Sequence, residues 1–153
     1  MPIDAKYVHT NIVAKDWRRL AEFYEQVFGC ERMPPQRDFR GDWINDVTAF
    51  DGPVEIQGMH LRLPGYDEYG PTLEIFQYSE QPPRPAVAAN QPGFAHIAFH
   101  VNDIQAARQA VLDAGGEDLG KLHSMQVRDA GHISLIYMTD PEGNIIELQH
   151  WSS

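Results

Sequence analysis

Tyr7-Val8-His9-Thr10-Asn11-Ile12-Val13, followed by Asp16-Trp17, and Phe94-Ala95-His96-Ile97-Ala98-Phe99-His100, followed by Asp103-Ile104, are written on one plan. Each opens with a short run rich in β-branched and aromatic residues, the pattern of a strand. Each then has an aspartate placed as a helix N-cap, where its carboxylate can accept from free N–H groups of the first turn. After Asp16, residues Trp17, Leu20, Tyr24, Val27 and Phe28 recur at helical spacing. Gly29 follows, a residue that readily takes the left-handed conformation ending a helix. After Asp103 the stripe is Ile104, Ala107, Val111 and Leu112, closed by Gly115-Gly116. Seven residues separate His9 from Asp16, and seven separate His96 from Asp103. Equal spacing of this kind marks an internal repeat.

Each copy is answered by a strand-like stretch with one acid among apolar residues, Leu73-Glu74-Ile75-Phe76 and Ile145-Ile146-Glu147-Leu148. His9 to Glu74 spans 65 residues and His96 to Glu147 spans 51, so the first copy carries about 14 more. The surplus is expected between Met33 and Pro71, where Pro34-Pro35, Gly52-Pro53, Pro64-Gly65 and Gly70-Pro71 punctuate the chain. Strands are expected there around 46–50 and 57–63. An extended, proline-rich linker is expected over 81–92.

Side chains two apart on a strand share a face. His9 therefore shares one with Asn11, Glu74 with Thr72 and Phe76, His96 with Ala98 and His100, and Glu147 with Gln149. The opposite faces carry Ile12, Leu73, Ile75, Ile97, Phe99, Ile146 and Leu148 and are expected to pack on the helices. An unpaired buried carboxylate costs several kcal/mol, so Glu74 and Glu147 need partners. A divalent cation shared with two imidazoles meets that need, and two N and two O donors suit Zn, Ni, Co, Mn or Fe(II). His60, His123, His132 and His150 have no evident repeat partner and read as structural.

The bulk numbers narrow the function. A chain of 153 residues with 42% hydrophobic content can bury a core. Net charge −10, with 22 acids against 12 bases, repels phosphate backbones, so no nucleic-acid partner is expected. No long apolar run or signal-like N-terminus is present, so no membrane partner is expected. The single cysteine, Cys30, fits a reducing, cytoplasmic setting and an unreactive filler role.

The residues His9-Thr10, Phe23-Tyr24…Phe28-Gly29, Leu73-Glu74-Ile75, Gly93-Phe94-Ala95-His96-Ile97-Ala98-Phe99 and Asp140-Pro141-Glu142-Gly143-Asn144-Ile145-Ile146-Glu147-Leu148 together resemble the vicinal oxygen chelate superfamily. That group includes glyoxalase I, methylmalonyl-CoA epimerase, extradiol dioxygenases and the fosfomycin and bleomycin resistance proteins. The resemblance implies an α+β fold of paired βαβββ modules, 1–84 and 85–153, within one domain over 5–152. It further implies a cup-shaped eight-stranded mixed sheet with helices outside.

It places one divalent metal ion per site, with His9, Glu74, His96 and Glu147 as the ligands. A glutamate at position 74 is similar to glyoxalase I and the epimerase, in which all four positions ligate. The implied activity is a lyase or isomerase reaction on a small substrate chelated through neighbouring oxygens, by proton transfer through an enediolate or enolate. Glu147 is the implied base and Glu74 the second carboxylate, with Asn11, His100 and Phe76 as substrate contacts. A homodimer is also implied, with each cup formed within one chain or across two. An Fe(II)-dependent dioxygenase and a metal-free drug- or metabolite-binding protein are the alternatives. Bacterial glyoxalase I has an arginine four residues past the first ligand and an asparagine four past the second. Val13 and Tyr78 stand there in this chain, which weighs against glutathione. Arg37, Arg40, Arg62 and Lys121 are the cations available instead.

Overall fold

Strand β1 (His9–Val13) lies parallel to β4 (Thr72–Tyr78), and β4 continues antiparallel to β3 (Ile56–Arg62) and then β2 (Glu31–Phe39), giving the order β1-β4-β3-β2. The computed structural model describes residues 1–152. Helix α1 (Trp17–Phe28) crosses from β1 to β2 and packs on β3 and β4. Asp16 caps it by accepting from the Arg19 N–H at 3.2 Å. Gly29, at φ 69°, closes it, and the next N–H groups return to the carbonyls of Glu25 and Tyr24. Trp17, Leu20 and Tyr24 are wholly buried, as are Leu61, Leu73 and Ile75 of the sheet.

The same plan recurs in a second unit, which begins at Arg84; the first is Met1–Pro83. Strand β5 (His96–His100) is parallel to β9 (Ile145–Ser152), which is antiparallel to β8 (Gly131–Thr139). Helix α3 (Ile104–Asp113) is capped by Asp103, which accepts from Ala106 N–H at 3.0 Å, and packs on β8 and β9. Val111, Met138, Ile146 and Leu148 are wholly buried. The expected α+β class and βαβββ plan are thus observed.

Two expectations are corrected. Among the described residues there are nine strands, in sheets of four and five, where eight were expected. The second unit's counterpart of β2 is split into β6 (Glu117–Asp118) and β7 (His123–Val127), which pair with opposite ends of β8. Residues 46–50 are not a strand: helix α2 (Trp43–Thr48) occupies most of that stretch. Ile44 buries itself against Val54 and Ile56. Asn45 then donates to the carbonyls of Phe50 and Gly52, which folds the segment back on itself.

One glycine is demanded by packing. A Cβ at Gly58 would lie 2.0 Å from the Ile75 carbonyl oxygen and 2.8 Å from the Phe76 ring. Gly58→Ala is expected to cost about 1–3 kcal/mol through forced backbone shifts, read as a lower urea midpoint. Burial pushes the Cys30 thiol up to about 11. At pH 8 its thiolate fraction is then about one in a thousand. Alkylation by iodoacetamide is expected to be slow in native protein and fast in urea.

Candidate metal centre

Strand register sets out the first unit's polar face as a row. Asn11 pairs with Glu74, Glu74 with His60, and His60 with Met33, so one residue from each of four strands lies side by side. His9, two residues before Asn11 and therefore on the same face, reaches the row diagonally. Glu74 is the buried member. Its Oε2 lies 2.7 Å from His60 Nε2, and its Oε1 lies 3.3 Å from His9 Nε2 and accepts from Asn11 Nδ2 at 3.0 Å. The two imidazoles meet edge to face at 5.3 Å.

His60 was read from sequence as structural; the structure places it on Glu74. Burial is the main cause holding its pKa below the ordinary value, and the Arg37 and His9 charges act the same way against the pull of Glu74. Burial thus favours the neutral imidazole at His60. On the far side of the ring, Nδ1 lies 3.0 Å from Thr72 Oγ1. A hydroxyl can donate or accept, so Thr72 supports either neutral tautomer, including the one that frees the Nε2 lone pair for a metal.

The second unit repeats the arrangement with different auxiliaries. His96 Nε2 lies 3.2 Å from Glu147 Oε1. In the position of Asn11 stands Ala98, opposite Glu147, and in that of His60 stands Tyr137. The missing donor comes from Gln149, whose Nε2 donates to Glu147 Oε2 at 2.6 Å. Trp151 Nε1 donates to Gln149 Oε1 at 2.7 Å and so fixes which end of the amide faces the carboxylate. The Tyr137 ring packs on His96 at 4.7 Å.

The remaining expected site residues fall as follows. Asn11 is engaged with Glu74. Phe76 packs against Phe39 and the Ile44 cluster. His100 stacks on His150 at 5.4 Å, and His150 Nδ1 is 2.7 Å from the Val101 carbonyl oxygen. Among the described residues no hydrogen bond joins His100 to Glu147. The Tyr78 hydroxyl is pushed up first by burial and then by Glu74.

A metal ion fits the first unit's donors. One ligand atom from each of His9, His60 and Glu74 lies within 4.8 Å of the others. Donors about 2.1 Å from a tetrahedral ion stand about 3.4 Å apart. The 3.3 Å His9–Glu74 and 3.2 Å His96–Glu147 separations match this, whereas the 2.7 Å His60–Glu74 contact is a hydrogen bond that must open for both to ligate.

The family model for the Glyoxalase/Bleomycin resistance protein/Dioxygenase superfamily matches residues 6–148. The chain belongs to this superfamily. Among solved structures it is similar to a glyoxalase family protein from Bacillus cereus, at 18% identity, 99% of this chain, 97% of that chain and a TM-score of 0.81. A glyoxalase family protein from Enterococcus faecalis matches at 22% identity, 95% and 96% coverage and a TM-score of 0.59. Both likenesses are of fold. No curated protein matches the chain in sequence. Within the superfamily's repeated plan, the His–Glu pairs and the alignment of Gln149 with Glu147 were legible from spacing and strand phase; His60 and Tyr137 were not.

Thr72→Val keeps the side chain's shape and deprives His60 of its Nδ1 partner. Zn²⁺ titration is expected to show binding weakened about 10–100-fold, with little change in fold by circular dichroism.

Proposed function

We propose that the protein is a metal-dependent lyase or isomerase of the glyoxalase I type, acting on a small substrate with two neighbouring oxygens. One observation supports this above others. Each unit presents a buried glutamate with a strand histidine against it, at 3.3 Å for His9–Glu74 and 3.2 Å for His96–Glu147. His9, Glu74, His96 and Glu147 are the proposed donors to a divalent Zn, Ni, Co, Mn or Fe ion, and His60 joins them. The ion supplies Lewis acidity, which stabilises the negative charge built on a substrate oxygen as the adjacent carbon loses a proton.

The two carboxylates are not equally free to take that proton. Glu74 Oε1 faces Asn11 and His9, and its Oε2 faces His60. Each donor occupies a carboxylate lone pair that an incoming proton would need. Glu147 has Gln149 on Oε2 and only His96 on Oε1. Glu147 is therefore the proposed base, its carboxylate free of the ion once substrate is bound and held in place by Gln149. Glu74 is the second carboxylate, suited to returning a proton.

His9, His60 and Glu74 also form a two-histidine, one-carboxylate set, the donor pattern of non-haem Fe(II) oxygenases. That supports a dioxygenase as the second reading.

Elemental analysis of protein purified without added metal, and again after reconstitution, tests the proposal. Wild type is expected to hold a transition metal, with less in Glu74→Ala and His96→Ala. If reconstituted wild type binds none, the proposal is wrong. With metal loaded, solvent deuterium is expected to enter an α-hydroxy carbonyl substrate at carbon. Glu147→Gln should slow that exchange about 10²–10⁴-fold. Oxygen uptake by the Fe(II) form without exchange would select the dioxygenase.

A further inference from the structure

The same row of side chains has a neighbour the metal reading does not use. A cavity of about 300 Å³ in the first unit is lined by Lys6, Tyr7, Arg37, His60, Tyr69 and Thr72, among others. His60 and Thr72 belong both to this wall and to the Glu74 cluster. The cavity therefore shares a wall with the candidate metal centre.

Its charge is unusual for this chain. The protein carries net charge −10, and Arg32, Arg40 and Arg62 of the same unit each face a carboxylate: Glu25, Asp38 or Glu55, and Glu31. Arg37 does not. Its Nη1 donates to the main-chain carbonyls of Met33 and Pro35, and among the described residues no carboxylate pairs with it. The strand register shifts between Met33 and Arg37. The carbonyls of Met33 and Pro35 flank that bulge and hold the guanidinium by one edge. Arg37 is half-buried. Lys6 likewise bonds only a carbonyl, that of Tyr69, at 3.2 Å. Glu68 is the single acid in the lining. Two cations satisfied only by neutral oxygens are set to receive an anion. The planar fork of an arginine matches a carboxylate with two parallel bonds.

We propose that this cavity is the anion subsite of the active site, and that the substrate is a small compound carrying a carboxylate held by Arg37 and Lys6. The assignment rests on the lyase or isomerase reading for the metal end of the substrate. It does not rest on it for the anion end. A volume near 300 Å³ lies at the small end of ligand sites, roughly 300–1,000 Å³. This suits a compact organic acid.

Two probes separate the ends. Glutarate has a carboxylate and no neighbouring oxygen pair, so it reads the anion subsite in metal-free protein. 2-Oxoglutarate and 2-oxopentanoate share a chelating end and differ in the distal carboxylate, so their affinity ratio on metal-loaded protein reads the subsite beside the metal. Wild type is expected to bind glutarate by NMR titration and to prefer 2-oxoglutarate at least about tenfold. Arg37→Ala should remove the glutarate shifts and bring the ratio close to one, with metal content unchanged. Arg37 also braces the Met33–Pro35 bulge, so Lys6→Ala at an exposed position provides a second variant; it should reduce the ratio at least about threefold.

The proposal is overturned if wild-type protein shows no glutarate shifts and no preference between the keto acids. It is equally overturned if both variants keep the wild-type ratio. Glutarate binding that Arg37→Ala abolishes, in a protein that takes up no metal, would support the subsite and overturn only the metal reading.

Discussion

A carboxylate on an inner strand, flanked along the chain by Leu73 and Ile75 or by Ile146 and Leu148, is a costly group for either unit to house. The apolar neighbours are wholly buried or nearly so and hold the strand in place against a helix. The strand cannot move outward to wet its acid without uncovering them. Glu74 and Glu147 must therefore be satisfied from within, and the structure does so by crowding donors onto them. Four-stranded order β1-β4-β3-β2 makes this practicable, because the strand bearing the acid has a neighbour on each side. Both neighbours can supply a side chain in register.

The two units solve this problem differently. In the first, the donors come from the flanking strands, Asn11 and His60. In the second, those positions hold Ala98 and Tyr137, and the donor moves onto the acid's own strand as Gln149, steadied by Trp151. The His–Glu pair is retained in both. A purely structural pair has no need of matched geometry in two units whose supporting residues have diverged. The constraint common to both acts on the histidine and the carboxylate together, as coordination of a shared kind of ligand would. The altered supports leave Glu74 with three donors and Glu147 with two, the asymmetry on which their proposed roles rest.

Much of this was legible in the sequence, for a physical reason. The helix caps, the glycine stop and the spacing of His to Asp are local, set by hydrogen bonds a few residues long, and each copy writes them alike. His60 escaped notice because its relation to Glu74 is set by antiparallel register across a turn, not by spacing along one strand. The longer connection between β2 and β3, with helix α2 in it, shifts β3 relative to its counterpart β8 and hides the correspondence of His60 with Tyr137. The prolines of β2 read as punctuation, yet they form a bulge in a strand that still pairs on both sides of it. The strand expected over 46–50 failed because Ile44 found its partners in Val54 and Ile56, while Asn45 tied the segment to the carbonyls of Phe50 and Gly52.

The bulge bears on how such a fold acquires a substrate. Inner strands are fixed by the acids and by the helix packed beneath them, so variation there carries the cost of an unsatisfied charge. The outer strand β2 is paired on one side only, and an interruption in it disturbs few bonds. Its counterpart in the second unit is broken as well, between β6 and β7. In the first unit the carbonyls of Met33 and Pro35, at the break, hold Arg37, which lines the cavity beside His60. Val13, on the outer strand β1, and Tyr78, at the end of β4, offer the substrate no cation. With those positions apolar or aromatic, a cation for the substrate has to come from an edge or a loop, and Arg37 is the edge residue whose guanidinium is already held in place. The residues proposed for chemistry thus sit on the strands least free to change, and those proposed for substrate choice on the outer strand.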